Sequence, residues 1–311
     1  MKHAEIFVIS NFYPGKISAT FGIFVKNQVE ALRARGLDID VAAVKDPRIG
    51  KGFLIKKYLM LLLAVFWRFL LKGRRYKVVH AHYIFPCGFL GLAFKRWFGT
   101  RLIVTAHGGD IDKMAKINGW IRKMTGKVLN EADCVIVVGE GLKQDIVDQF
   151  GVAERKIQVI NMGVNRDVFA PLGKSVARKK VSAPEGRPIL LFVGNIQKQK
   201  GLDELVPAFE GVKKSFPDAE LHLIGSPKSY QYEADLKKQF KDREIRDVHF
   251  HGGRPQAETA VWMNAADVLV LPSHIEGFGL VALEAMSCHT PVVGSDVGGL
   301  AHLLSGDCGV P

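Results

Sequence analysis

The sequence predicts an α/β protein with two Rossmann-like domains, each a parallel sheet flanked by helices. Short apolar runs recur along the chain and alternate with longer segments in which apolar residues have a helical spacing. Such alternation is typical of parallel strands connected through helices. Glycine-rich turns follow several of the runs, and open α/β sheets bind ligands at these carboxyl ends of their strands. A length of 311 residues suffices for two domains of ordinary size.

The first domain is predicted over residues 1–170. A helix is expected to end near Arg35, with Gly22 in the loop before it and Gly36 as its stop. The third predicted strand leads into a loop and contains His80 and His82. No third metal ligand is evident, so these two residues are interpreted as ordinary loop histidines rather than as a metal site. Strands are predicted at residues 6–9, 40–44, 78–82, 101–106 and 132–138.

The second domain is predicted over residues 188–311, after a linker at residues 171–187 that is rich in Pro, Gly and Lys and lacks periodicity. Its first strand leads into a turn that ends at Gly201, where a helix is expected to start. Lys200 lies beside that helix start and can bind an anion as a point charge. Further strands are expected near residues 220–224, 248–252 and 267–271.

The stretch from Asp267 to Ser287 carries the strongest chemical signal. An apolar run is followed by a turn with Gly277 and Gly279, and then by a helical spacing. Glycines let a ligand approach the backbone, and the free N–H groups at a helix start favour an anion such as phosphate. Glu276 stands in the turn, and Glu284 lies eight residues further on, where its carboxylate can accept hydrogen bonds from a diol. The pattern suits a ligand with both hydroxyls and a phosphate.

This stretch resembles the signature of the GT4 family of retaining glycosyltransferases. The likeness rests on Glu276 and Glu284, with Gly-Phe-Gly-Leu between them and Glu-Ala-Met at the end, and on the flanks at residues 264–267 and 291–299. It extends over nearly the whole chain. The resemblance implies the GT-B fold, two Rossmann-like domains that face each other across a cleft, with the acceptor side in the first domain and the nucleotide sugar in the second. It also implies sugar transfer from a nucleotide-diphosphate sugar to a hydroxyl, in the synthesis of cell-surface polysaccharide or glycolipid.

The resemblance further implies roles for individual residues. Glu276 and His107 are expected to be catalytic and to hold the sugar, while Glu284 is expected to hold the ribose. Asn195 stands where Arg is usual in the family, so the diphosphate lacks one cation unless Lys198 compensates. Donor binding is expected from Gly22, Asn195, Lys200, Gly277, Phe278, Gly279, Leu280 and Glu284.

No metal or other cofactor is expected for the chemistry, because enzymes of this fold generally need none. The segment Asp110-Ile-Asp112 imitates the metal-binding motif of the other large transferase fold, but its position after His-Gly-Gly argues against that role. Family members normally continue beyond the equivalent of Pro311, so the C-terminal domain is expected to be incomplete. Two alternatives remain open: a catalytically weak nucleotide-sugar-binding protein, and a sugar-nucleotide epimerase on the same fold.

The net charge of +12 is concentrated in one part of the chain, which we call the basic block: residues 47–109 contain twelve Lys and Arg and no Asp or Glu. The block includes a strongly apolar helix, predicted from Phe53 to Leu71, whose Lys57, Arg68, Lys72 and Arg75 fall on one stripe. We expect that stripe to bind an anionic membrane surface. No nucleic-acid-binding motif accompanies the charge. Scattered cysteines and a start without a long apolar segment predict a cytoplasmic protein at the inner face of the membrane.

Overall fold

The structure, a computed structural model, describes residues 5–18, 20–48, 50–112 and 117–305, apart from the side chain of Asp112. The chain divides into two compact units, residues 1–162 and 163–311. Each unit contains a parallel sheet with helices between its strands, which confirms the predicted fold class. Cys308, one of the scattered cysteines, lies outside the described residues.

In its described part, the first unit has a six-stranded parallel sheet. The strands are β1 (Ile6–Ser10), β2 (Ile39–Ala43), β3 (Val78–His82), β4 (Arg101–Ala106), β5 (Cys134–Val137) and β6 (Ile157–Val159). The helices are α1 (Ile23–Ala34), α2 (Lys51–Lys72), α3 (Phe89–Phe98), α4 (Gly109–Asp112), α5 (Gly119–Glu131) and α6 (Glu140–Phe150). The strands lie in the order β2-β1-β3-β4-β5-β6. The chain therefore moves along the sheet in one direction from β1 to β2 and in the other from β3 to β6, so the order of connection reverses between β1 and β3. Ligands of such sheets bind outside the strand ends at that reversal.

The described part of the second unit has a five-stranded parallel sheet in the order β11-β10-β7-β8-β9. The strands are β7 (Ile189–Val193), β8 (Glu220–Ile224), β9 (Val248–Gly252), β10 (Val268–Leu271) and β11 (Val292–Gly294). The helices are α7 (Lys174–Val181), α8 (Leu202–Ser215), α9 (Tyr230–Asp242), α10 (Gln256–Ala265), α11 (Leu280–Ser287) and α12 (Gly298–Leu303). The reversal of order lies between β7 and β10, whose carboxyl ends carry the two turns singled out above.

The central strands explain why the apolar runs are continuous rather than alternating. Phe7, Val8 and Ile9 of β1 are all buried, as are Leu191 and Phe192 of β7. Helices cover both faces of a parallel sheet, so neither face of an inner strand meets water. Such strands are continuous apolar runs in the sequence, and the observed bounds agree with the predicted ones to within one or two residues.

Residues 171–187, predicted to be a linker, instead contain α7, which packs against α10 in the second unit. Arg178 is buried there, and its guanidinium donates to the carbonyl oxygen of Ala265 and, at 2.8 Å, to Asp267 Oδ2. The compact units also divide earlier than predicted, between residues 162 and 163. The helix is short and highly basic. It is held by the ion pair of the buried Arg178, which a search for apolar periodicity does not detect.

The predicted orientation of α2 is wrong in one respect. Leu61 and Val65 are its buried residues, and Arg68 and Lys72 share their side of the helix. Arg68 Nη2 donates to the carbonyl oxygen of Val41 at 3.2 Å, and Lys72 Nζ pairs with Asp40 Oδ2 at 2.9 Å. Arg68 and Lys72, two of the four residues of the basic stripe, therefore face β2 rather than a membrane. Because β2 is at the edge of the sheet, its carbonyls and carboxylate have room for cationic partners.

The opposite face of α2 is exposed and apolar. Leu59, Leu63, Phe66 and Leu70 recur at helical spacing along it, and each side chain is about half exposed. Trp97 of α3 is also exposed and lies beside α2, with its ring 6.2 Å from that of Phe69. Among the described residues, no helix is both long enough and apolar enough to cross a membrane.

Candidate active site

The turn between β10 and α11 fits closely against the start of α12. Gly279 has a φ of +83° and caps the N-terminus of α11. A β-carbon on Gly298 would lie 2.2 Å from the carbonyl oxygen of Glu276, and one on Gly299 would lie 2.4 Å from that of Gly277. Backbone therefore packs directly on backbone, which fixes the position of the first N–H groups of α11. Those groups lack acceptors within the helix and favour an anion.

Glu284 is a buried carboxyl group on α11. Its side chain is 8% exposed, and Gln256 Nε2 donates to Oε1 over a long 3.4 Å. Burial raises the pKa of Glu284 to about 8, and the hydrogen bond from Gln256 opposes that rise only in part. A carboxyl group removed from water without strong partners is unfavourable for folding, and such groups cluster at functional sites. The diol of a ribose offers the two donors that this carboxyl group lacks.

Lys200 and Glu276, predicted from separate motifs, form an ion pair. Lys200 Nζ lies 2.5 Å from Glu276 Oε2, and each side chain is about one-fifth exposed. The two turns also meet through backbone, because the N–H of His274 donates to the carbonyl oxygen of Gln199 at 3.1 Å. The pair places a cation and a carboxylate together at the carboxyl ends of β7 and β10, where the strand order reverses.

Gly201 makes this approach possible, and its replacement gives a testable prediction. It has a φ of +65°, and a β-carbon there would lie 1.7 Å from the carbonyl oxygen of Pro272. We expect Gly201→Ala to lower the melting temperature and weaken nucleotide binding, because the two turns must separate. The control is Gly211→Ala in α8, where a β-carbon meets nothing within 4 Å and helix propensity favours Ala by up to about 1 kcal/mol. Equal melting temperatures for the two variants would contradict the close approach.

The remaining predicted donor residues of this unit lie on the same two turns. Asn195 and Lys198 are exposed on the turn after β7, so Lys198 is accessible to a phosphate where Asn195 supplies no charge. Phe278 is partly buried on the turn before α11, and Leu280 is the first residue of that helix. The structure thus brings Lys200, Glu276, Gly277 and Gly279 together, with Glu284 on the adjoining helix.

In the first unit, His107 follows β4 and is held by aromatic and histidine rings. Its Nε2 lies 3.2 Å from His82 Nδ1, and its ring centre lies 4.8 Å from that of Phe24 and 5.3 Å from that of Tyr83. Burial, and to a smaller extent the nearby His80, lowers the pKa of His107 to about 3. The imidazole is therefore neutral near pH 7, and it can donate or accept one hydrogen bond without carrying charge.

Gly22 is tightly constrained in the same unit. It has a φ of +68° and precedes α1, and a β-carbon there would lie 2.4 Å from the carbonyl carbon of Phe12. The residue brings the loop after β1 close to the start of α1. Only glycine fits this position without displacing backbone.

Sequence reasoning missed two unpaired polar atoms near this point. Asn11 Oδ1 and His82 Nε2 are buried and have no hydrogen-bond partner among the described residues. They follow β1 and end β3, the neighbouring strands where the sheet order reverses. An unsatisfied buried polar group destabilises the fold by about 1–3 kcal/mol, so both atoms are candidate contacts for a ligand. Asn11 could have been identified from the sequence, because it is a polar residue directly after the first strand. The burial of His82 could not.

Asp110 holds the turn that carries His107. Its Oδ1 accepts from the backbone N–H of His107 at 3.0 Å, and its Oδ2 accepts from that of Ile84 at 3.3 Å. Both oxygens of this buried carboxylate thus organise backbone. The side chain of Asp112, the other acid of the motif, lies outside the described residues.

Comparison with known families finds glycosyltransferase models along the chain. Residues 22–168 match the family model described as Glycosyltransferase Family 4, and residues 174–307 match the one described as Glycosyl transferases group 1. A D-inositol 3-phosphate glycosyltransferase of Streptosporangium roseum is 34% identical over 247 residues, which are 73% of this chain and 55% of that protein. One from Pseudarthrobacter chlorophenolicus is 34% identical over 74% of this chain and 57% of its own length. The chain thus spans about half the length of the curated relatives it matches.

Solved structures of the GT-B class share the fold. Sucrose-phosphate synthase from Thermosynechococcus elongatus is 25% identical, with a TM-score of 0.77, over 96% of this chain and 83% of its own. Anabaena HepE, in complex with UDP-glucose, is 18% identical, with a TM-score of 0.74, over 97% of this chain and 83% of its own. The two family models lie side by side and together cover most of the sequence. The chain therefore belongs to the GT4 family of glycosyltransferases.

Proposed function

We propose that this protein transfers a sugar from a nucleotide-diphosphate sugar to a hydroxyl acceptor, with retention of configuration at the anomeric carbon. The observation that carries the proposal is Glu284, a buried carboxyl group with one weak partner among the described residues. It lies on the helix that follows the glycine turn and the Lys200–Glu276 pair. In the proposed complex the ribose hydroxyls donate to Glu284. The diphosphate lies between Lys200 and the first N–H groups of α11.

The chemistry proposed for this site is electrostatic. As the bond between the anomeric carbon and the phosphate oxygen breaks, negative charge develops on the diphosphate. Lys200 and the start of α11 stabilise that charge more strongly than they stabilise the intact donor. The acceptor hydroxyl attacks the same face of the sugar and gives its proton to the departing phosphate oxygen. Glu276, once the diphosphate takes over Lys200, is free to hold sugar hydroxyls.

His107 is proposed to be the catalytic residue of the first unit, and Gly22, two residues before its ring partner Phe24, is proposed to bind the donor. A neutral imidazole suits this role because it can donate a hydrogen bond to a sugar oxygen without attracting a second phosphate. The unpaired Asn11 Oδ1 and His82 Nε2 add an acceptor and a ring nitrogen at the same strand ends. We propose that these atoms orient the acceptor hydroxyl.

The first compounds to test come from the relatives. Those in Streptosporangium roseum and Pseudarthrobacter chlorophenolicus are named D-inositol 3-phosphate glycosyltransferases, which makes phosphorylated cyclitols the first acceptors. The UDP-glucose complex of HepE makes that nucleotide sugar the first donor. The protein should convert a radiolabelled donor into a glycoside product only when the acceptor is also present. NMR of the anomeric proton of that product should show retention of configuration.

The same assay separates the alternatives. Binding of the donor without transfer or hydrolysis would favour the weak binding protein, and a changed sugar on the recovered nucleotide would favour an epimerase. Loss of turnover in Glu276→Gln, with donor affinity nearly unchanged, would support the catalytic role. Full turnover in that variant would contradict it.

We further propose that the exposed face of α2 binds an anionic membrane surface. Leu59, Leu63, Phe66 and Leu70 form its apolar contact. The basic block supplies complementary charge, because residues 47–109 contain no acidic side chain. Lys51 and Lys56 are exposed on the first turns of the helix, and Arg74 is exposed just after its end. Each basic residue near an anionic surface contributes roughly 1 kcal/mol to binding.

Vesicle sedimentation tests this surface. We expect the protein to sediment with vesicles that contain anionic phospholipid, to bind neutral vesicles weakly, and to be released as salt screens the charge. Replacing Leu63, Phe66 and Leu70 together by Gln should abolish sedimentation and leave nucleotide affinity intact. The control is Phe216→Gln, an equally exposed apolar residue of the second unit. Sedimentation of the triple variant to the same extent as the control would overturn the proposal.

A further inference from the structure

Four titratable side chains meet on one face of β8 and β9. We call this set the His–Glu cluster; it consists of Glu220, His222, His249 and His251. His222 and His249 are register partners on the two parallel strands, and Glu220 lies two residues before His222, so its side chain points to the same face. Neither the proposed donor site nor the proposed membrane surface uses these residues. The inference drawn from them is therefore independent of the proposed function.

Three members of the cluster present ligand atoms to one point. Glu220 Oε2 lies 3.1 Å from His222 Nε2 and 3.8 Å from His249 Nε2. The three atoms all lie within 4.8 Å of one another. Ligand atoms that bind one tetrahedral Zn²⁺ at about 2 Å lie about 3.3 Å apart, so sub-ångström adjustments of these side chains suffice to bind an ion.

We propose that Glu220, His222 and His249 bind a Zn²⁺ ion. Two imidazoles and one carboxylate are a ligand set that zinc uses in proteins, and a water molecule completes the tetrahedron. Glu220 and His222 are buried, so the fold fixes two of the ligands in advance. The side chain of His249 is 45% exposed, which gives the ion a path from solvent.

His251 serves as an outer partner that sets the tautomer of His222. Its Nε2 lies 2.9 Å from His222 Nδ1, and the two rings are stacked with centres 5.2 Å apart. Metal binding at His222 Nε2 requires that this nitrogen carry no proton, so the proton moves to Nδ1 and is donated to His251 Nε2. Metal-bound histidines commonly have such a second hydrogen bond, and it strengthens binding. Trp262 of α10 packs on both rings, with centres 4.5 Å away, and keeps them in place.

The charges around the cluster are compatible with a cation. Arg187 Nη1 donates to Glu220 Oε1 at 2.9 Å, which leaves Oε2 to face the histidines. Asp218 lies close enough to Arg187 to help raise its pKa, and it offsets the positive charge of Arg187 near the site. A bound ion would link the edge strand β9 to β8, so we expect it to stabilise the second unit.

Metal titration tests the proposal directly. The metal-free protein, prepared by dialysis against a chelator, should show a higher melting temperature with added Zn²⁺, because an ion that binds only the folded state stabilises it. Co²⁺ as a probe should give the visible absorption of tetrahedral cobalt. Loss of an outer partner of a metal site weakens binding by about 10–100-fold, so loss of a ligand in His249→Ala should weaken it at least as much. Because the side chain of His249 is 45% exposed, we expect this variant to fold.

The matched control is His274→Ala. His274 is similarly exposed and also pairs with one glutamate, Glu204, at 3.2 Å, but it does not belong to the cluster. We expect this variant to keep the zinc affinity and the cobalt spectrum of the unmodified protein, and His251→Ala to show an intermediate affinity. The proposal is overturned if Zn²⁺ fails to stabilise the unmodified protein. It is also overturned if His249→Ala and His274→Ala bind zinc equally well.

Discussion

Glu284→Gln is expected to weaken nucleotide binding and, at the same time, to stabilise the ligand-free protein above neutral pH. Binding should weaken by about 1–3 kcal/mol, because the variant replaces a charged acceptor of the ribose hydroxyls with a neutral amide. Stability should rise because the carboxyl group is buried with only a weak partner. A residue needed for folding would not show this pair of effects, whereas a ligand-binding residue that the fold tolerates would.

The pH dependence of the second effect follows from the pKa of Glu284, which burial raises to about 8 from an ordinary 4.5. Below pH 4.5 the carboxyl group is protonated in both the folded and the unfolded chain, and its favourable contribution is fully present. That contribution is lost as the pH rises towards 8, because the unfolded chain gives up the proton more easily. Each pKa unit between the two states is worth about 1.4 kcal/mol. The Gln variant does not titrate, so its advantage should grow between pH 5 and 8.

Thermal unfolding at pH 5 and pH 8, together with nucleotide titration, measures both effects. The control is Glu258→Gln, which removes the same charge from an exposed side chain that pairs with Arg254 at 3.4 Å. Exposed pairs contribute little to stability, so that variant should change the melting temperature only slightly at either pH. Unchanged nucleotide affinity would show that Glu284 does not hold the ribose, and destabilisation at pH 8 would contradict the unfavourable burial of its carboxylate.

Lys200→Met is the second large expected effect. The substitution keeps the apolar stem of the side chain and removes the ammonium group that pairs with Glu276. We expect binding of a nucleoside diphosphate to weaken by about 1.5–3 kcal/mol, the typical contribution of a hydrogen bond to a charged group. Binding of the bare nucleoside should change little. Turnover should fall further than affinity, because the charge on the leaving diphosphate is greatest in the transition state.

The control for this prediction is Lys198→Met on the same turn. Lys198 is exposed and lies two residues from Lys200, so the variant makes the same change in net charge. It should weaken diphosphate binding less than Lys200→Met does. The size of its loss measures how far Lys198 compensates for the positive charge that Asn195 does not supply. Equal losses for the nucleoside and the nucleoside diphosphate in Lys200→Met would remove Lys200 from the phosphate site.

The fold was predictable because it depends on local patterns, and the same patterns mark the candidate donor site. Buried parallel strands such as β1 and β7 are continuous apolar runs, and the glycine turns beside them mark where backbone approaches backbone. Lys200 and Glu276 come from motifs 76 residues apart, and the expected parallel sheet brings them together at its carboxyl edge. Glu284 was found by its spacing, although its burial became visible only in the structure.

The features that the sequence did not predict have a common physical cause. Each depends on which residues of another helix or strand a side chain contacts. The basic stripe of α2 looked like a surface feature, but Arg68 and Lys72 bind β2, the edge strand. Helical periodicity shows which residues share a face, and it does not show which face is buried when both carry apolar residues. The His–Glu cluster likewise requires the register of β8 against β9, which places His249 opposite His222.

Calorimetry of donor binding tests the central claim, that Glu284 holds the ribose as a carboxylate. With a nucleotide sugar that binds, titrations at pH 7 in buffers of different ionisation enthalpy count the protons exchanged. The phosphates of such a donor are diesters and do not titrate near this pH. With a pKa of about 8 in the free protein, Glu284 is mostly protonated at pH 7 and must give up its proton to accept from the ribose hydroxyls. The account predicts release of close to one proton by the unmodified protein and none by Glu284→Gln. Binding without proton release, or with equal release by both proteins, would contradict it.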